Sequence, residues 1–171
     1  APESMSKRLK NCISGRIPKV DAVRDLLSRI NPDEIRSIHE EMIDIIKRNR
    51  VFREGTIGGY VVAGLDGVEL FSSTKKSCPN CLSRKKHTGE TEYFYRSVVC
   101  MIIGKSPHVI LGQEMLKPRD GSGKDEGELT GGKRLIERLK KRHGHFADVI
   151  VADALYLNAP FINTLKENGL E

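Results

Sequence analysis

The stretch 60-YVVAGLDGVELF-71 decides the fold. Tyr60 to Leu65 is apolar at successive positions, so a strand here is buried on both faces, as in a sheet covered by helices. A carboxylate, Asp66, ends the run before Gly67, and "VELF" resumes as strand. A charge at the end of a buried strand is costly unless it meets a cation, a hydrogen-bond net or an open rim. The plainer alternative is a turn, the commonest fate of an Asp-Gly pair.

The same description fits 147-ADVIVADALY-156, a short apolar strand ending in a second acid, Asp153, whose plainer role is a helix cap. If the two strands are neighbours, both acids reach one rim of the sheet. Converging carboxylates repel, and a hard divalent cation with oxygen ligands, magnesium or manganese, resolves that repulsion. A third acid points the same way. At 100° per residue Glu128 falls on the helix face of Leu135 and Leu139, and Gly131 and Gly132 let that first turn approach the strands. The plainer reading of Glu128 is an acid favoured by the helix dipole.

Outward from the first strand, "VDAVRDLLSRI" and "NPDEIRSIHEEMIDIIKR" carry apolar residues three and four apart and predict two amphipathic helices, the second capped by Asn31 with Pro32 in its first turn. "NRVFREGTIGGY" is a basic connector. After "VELF" comes the polar "STKKSCPNCLSRKKHTGET", then a hairpin, "YFYRSVVCMIIG" with "PHVILGQEML", turning at 105–107. A polar loop leads to a helix over about 128–142. "NAPFINTLKENG", with Asn158 as cap and Gly169 as terminator, predicts the last helix. Strand, hairpin, helix, strand, helix implies a mixed sheet with helices on its faces.

With 171 residues and 38% hydrophobic content the chain can bury a core, which excludes disorder as the default. It has no apolar run of membrane-spanning length and its start carries no signal segment, so the expectation is a cytoplasmic protein without a membrane partner. The net charge of +6 favours a polyanionic partner. Among the four cysteines, Cys78 and Cys81 form one C-x-x-C, with His87 the nearest third candidate for a zinc ion that normally takes four ligands. His143 and His145 join only if the fold brings them near. Cys100, within an apolar strand, reads as a small buried hydrophobe, and a redox role lacks the strand-to-helix context such motifs have.

Taken in order, "RNRVFREGTIGGYVVAGLDG", "CPNCLSRKKHTGETEYFYRSVV", "KDEGELTGGKRLIERL" and "ADVIVADALYLNAPFINTLKENG" resemble the DDE-type transposases of bacterial insertion sequences, over about residues 18 to 169. The resemblance implies an α/β fold with a mixed, ribonuclease-H-like sheet at 56–171, a CxxC-containing insertion at about 73–91 and a two-helix segment within 1–55. It carries the two catalytic aspartates onto Asp66 and Asp153, and puts Glu128 where such cores often hold an acid. Implied too are Mg²⁺ or Mn²⁺ as cofactor, cleavage and transfer of DNA strands, transposon ends and target DNA as partners, and a homodimer of the full-length enzyme. Lys75, Lys76, Arg84, Lys85, Lys86, Arg119 and Lys133 would hold phosphate backbone without reading sequence, against the plainer role of a solvated face.

The family's third acid, a glutamate on a later helix, has no counterpart up to residue 171, so the expectation is the N-terminal portion of an enzyme, inactive by itself. Two further readings stay open. One is a non-catalytic DNA-binding module or decayed remnant; the other is a nuclease or junction resolvase on the same core.

Overall fold

The computed structural model describes residues 18–53, 56–104, 108–119 and 124–171. Its chain divides into two compact units, one ending at His39 and one running from Glu40 to Glu171. The break falls inside a helix and not at the 55/56 boundary, because Ile43 packs into the hydrophobic core of the second unit.

Helices α1 (Val20–Arg29) and α2 (Pro32–Arg48) follow the two apolar stripes. The Asn31 side chain accepts from the Asp33 N–H at 3.0 Å, the capping bond expected of it. Helix α1 buries no residue, and Val20, Leu26 and Leu27 are exposed. A 3₁₀ turn, Val51–Arg53, then leads toward the sheet.

The second unit is built on a curled mixed sheet: β1 (Val62–Ser73), β2 (Leu82–Lys85), β3 (Thr91–Ile103), β4 (Val109–Met115) and β5 (Val149–Ala152). The order is β2-β3-β1-β5, with β4 also on β3. β3 pairs antiparallel with β1 and with both β2 and β4, while β5 lies parallel to β1. Two features differ from the sequence reading. β1 runs straight through Asp66 and Gly67, so this Asp-Gly pair is not a turn; Asp66 pairs with Val99 and Gly67 with Val98. The polar 73–91 segment contains a strand, because Leu82 is buried beside Phe94. Residues 105–107, where the hairpin turn was expected, lie outside the described residues.

Helix α3 (Glu128–His143) buries Leu135, Ile136 and Leu139 against β3 and β4. Its glycines set that approach: a Cβ on Gly132 would meet the Tyr156 and Phe161 rings at 3.1 and 3.2 Å. After β5 a 3₁₀ turn, Ala154–Tyr156, precedes α4 (Ala159–Glu167), capped by the Asn158 side chain on the Phe161 N–H at 3.0 Å. Gly169 takes the left-handed conformation, φ 69°, that ends the helix, and Leu170 folds into the core. Glu171 bonds by backbone to Asp148 and Ile150 along the outer edge of β5.

No helix among the described residues is long and apolar enough to cross a membrane.

Candidate functional site

Parallel pairing sets the site. Leu65 pairs with Ala152, so the next residues, Asp66 and Asp153, take adjacent positions where β5 ends and β1 runs on. Both are exposed there. Glu128 arrives from the first turn of α3, and a Cβ on Gly67 would overlap its carboxylate. Only glycine at 67 leaves room for that acid against the strand beside Asp66.

Each carboxylate has a protein partner. Asp66 Oδ1 accepts from the Gly67 N–H at 2.8 Å, and Asp153 Oδ1 accepts from the Leu155 N–H at 3.0 Å, capping the 3₁₀ turn. Glu128 Oε1 accepts from Arg96 Nη1 at 2.9 Å. Arg96 also reaches Glu69 at 3.3 Å, and the chain of charges continues through Arg84 and Glu92 to Lys86 across β1, β3 and β2.

Tyr156 lies under the acids. It is buried, and its hydroxyl makes no hydrogen bond of full geometry. Burial pushes that hydroxyl's pKa up, and the negative fields of Glu128, Asp153 and Asp66 push it further, with looser bonding to Glu128 adding to the effect. One buried group thus lies within the negative field of all three acids.

The donors suit a hard divalent cation: they are all carboxylate oxygens, gathered beside a cradle that a Cβ would fill. Among the described residues no three His, Cys, Asp or Glu side chains stand together as a ready metal site. Each of the three acids instead has its own donor, Gly67, Leu155 or Arg96.

The cysteine segment is arranged differently. Cys78 and Cys81 Sγ lie 3.0 Å apart, both as free thiols, and the nearest polar group is the Tyr95 hydroxyl, 2.6 Å from Cys78. Tyr95 and then Cys81 stabilise the Cys78 thiolate and lower its pKa. His87 stands exposed near the β2–β3 turn and does not join them as a third ligand. His143 bonds to Asp44 and His145 to Asp148, each at 2.8 Å, so neither joins the pair. Cys100 is fully buried in β3, and burial pushes its thiol up to about 12, as befits a small hydrophobe.

The basic residues divide. Arg84 pairs with Glu69 and Glu92, and Lys86 with Glu92, so the fold engages both. Lys75, Lys76, Lys85 and Arg119 are exposed, and Lys133 is half-buried on α3. Arg119 takes a positive φ of 46°, with its N–H on Asp125.

Sequence reading missed Arg96 and Tyr156. Alternation offered a signal for the first: Glu92, Phe94, Arg96 and Val98 share one face of β3, so Arg96 is an inward charge that needs an acid. Tyr156 carried no comparable signal.

Comparison with protein-family models, with curated proteins and with solved structures finds no match.

Proposed function

We propose that the second unit is a ribonuclease-H-like core that acts on DNA by divalent-metal-dependent cleavage and strand transfer, the catalytic portion of a DDE-type transposase. The observation that carries the reading is the β1–β5 register, Leu65 with Ala152, which puts Asp66 next to Asp153 at the point where β5 ends. The Glu128 carboxylate against Gly67 adds a third oxygen donor.

In this reading Asp66 and Asp153 hold the ion and Glu128 supports it. A bound Mg²⁺ supplies Lewis-acid activation of a water or of a DNA 3′ hydroxyl. Arg96 donates to Glu128 and fixes its carboxylate over Gly67. The open rim leaves Asp66 and Asp153 accessible to a phosphodiester backbone, and the net charge of +6 draws one in.

One observation favours a second reading, a non-catalytic DNA-binding module: every acid already has its own protein donor. Titration of the chain with Mn²⁺, followed by electron paramagnetic resonance, separates the two. Asp66→Asn and Asp153→Asn are expected each to weaken Mn²⁺ at least tenfold and to abolish Mg²⁺-dependent nicking by any active form. Mn²⁺ binding that both variants leave intact would sink the enzymatic reading. Joined products, as opposed to nicks alone, distinguish a transposase from a nuclease or resolvase.

A further inference from the structure

Just before the start of β1 lies a cavity of about 360 Å³ that the proposed chemistry does not use. Its floor is apolar, formed by Phe52, Val61 and Phe146, and its rim carries Arg48, Arg50 and Arg53. All three arginines are exposed. Lys47 also lines it, but its ammonium is spent on the main-chain oxygens of His143 and His145. The acids nearby in sequence are engaged elsewhere: Glu40 with Arg138 and Arg142, Asp44 with Arg142 and His143. Among the described residues no carboxylate pairs with Arg48, Arg50 or Arg53.

The bland explanation is that cations gather at the negative end of a helix. It covers Lys47 and Arg48, which sit in the last turn of α2, but not Arg50 and Arg53, which lie past its end. Arg50 moreover adopts φ 59°, a left-handed conformation in which glycine or asparagine would be less strained. An arginine in that conformation, on the rim of a cavity, carries a small backbone cost of the kind that a used side chain offsets.

We propose that this cavity is a nucleotide subsite, taking a base on the Phe52–Val61–Phe146 floor and its phosphates on Arg48, Arg50 and Arg53. Guanidinium forks match phosphate oxygens, and an apolar floor accepts any base face without reading its identity. The volume is near the lower end of small-ligand sites, roughly 300 to 1,000 Å³, which suits one nucleoside unit. Val61 and Asp66 are five residues apart along the strand, roughly 16 Å. The inference rests on the reading of the chain as a DNA-binding protein: a strand whose scissile phosphate lies at the acids would reach the cavity with a nucleotide a few steps away.

The test is fluorescence anisotropy with a labelled twelve-residue oligothymidylate in EDTA, so that the acids contribute no metal-dependent binding. Arg50→Gln/Arg53→Gln is expected to weaken binding at least tenfold and to reduce the slope of log K against log salt by about 1.4, two phosphates at roughly 0.7 each. Lys166→Gln, an exposed charge on α4, should change neither. An abasic strand of the same length should bind at least fivefold more weakly. Competition by thymidine monophosphate at concentrations comparable to the strand's would assign the site to free nucleotides, and competition only by strands would assign it to nucleic acid. Equal loss from Lys166→Gln, no loss from the double variant, or equal binding of the abasic strand overturns the proposal. The catalytic reading is tested by the Mn²⁺ titration and the subsite by this metal-free binding, so failure of one and failure of the other read out separately.

Discussion

Glu126 and Glu128 are two residues apart at the entry to α3, yet they meet opposite circumstances. Glu126 has a side chain 2% exposed and accepts from two nitrogens of Arg134 and from the Lys117 N–H. Arg134 also bonds to Glu114 and to the Met115 carbonyl, so the cluster is closed on both sides. Glu128 holds a single arginine, Arg96, beside the Tyr156 hydroxyl and at a rim where two more acids emerge. A carboxylate whose oxygens are all engaged can only stabilise the fold. One with spare capacity at an open edge can exchange its partner for a ligand.

The largest expected effect tests the closed side. Arg134→Met leaves Glu126 buried without its cation and should lower the unfolding free energy by about 3 kcal/mol. Arg96→Gln, at the more exposed Glu128, should cost less than about 1 kcal/mol. Urea denaturation measures both, and equal costs would erase the contrast.

Gly67→Ala tests the open side. The added methyl overlaps the Glu128 carboxylate, so a loss of roughly 1 to 3 kcal/mol is expected from overpacking. In a Glu128→Ala background the same change should cost about 1 kcal/mol less, since the clash is gone. Additive losses would mean that the acid is not held against the strand.

Acid sharpens the contrast further. Burial pushes the Glu126 carboxyl up, but the hydrogen bonds from Arg134 and the Lys117 N–H outweigh it and hold the pKa below 4.5. A depressed folded-state pKa gives stability that is fully present above the unfolded value and is lost as pH falls through the folded one. Stability should therefore drop on acidification below about pH 4.5, and Glu126→Gln should make that drop shallower. An unchanged slope in chemical denaturation at stepped pH would contradict the closed cluster.

The smallest effect belongs to Tyr156→Phe. Its hydroxyl lacks a hydrogen bond of full geometry, so removing it should shift stability by no more than about 0.5 kcal/mol. A loss above about 1 kcal/mol in the same denaturation assay would reveal a firm partner.

Much of this arrangement is written in local pattern. Apolar patterning located both amphipathic helices, a strand that begins at Val62, the strand ending before Asp153 and the inward face of α3, although the stripe of α1 is exposed. Asn31 and Asn158 announced their caps for the same reason: a cap bonds within a few residues of itself. The Asp-Gly pair misled, since a turn and a continuous strand can use the same two residues. Which it becomes depends on Val98 and Val99, some thirty positions away, pairing across from it.

The sequence by itself determined most of the helical and strand segments, and that an acid follows each of two apolar runs, of which only the one before Asp66 is largely buried. The tertiary structure alone decided that β5 lies parallel beside β1, that Arg96 holds Glu128 over Gly67, that Tyr156 is buried within the field of three carboxylates, and that Arg48, Arg50 and Arg53 line a cavity with Phe146. Periodicity records only which way a side chain faces. Partnership between residues thirty to a hundred positions apart is fixed by how the sheet closes and the helices pack, and no local pattern carries that information.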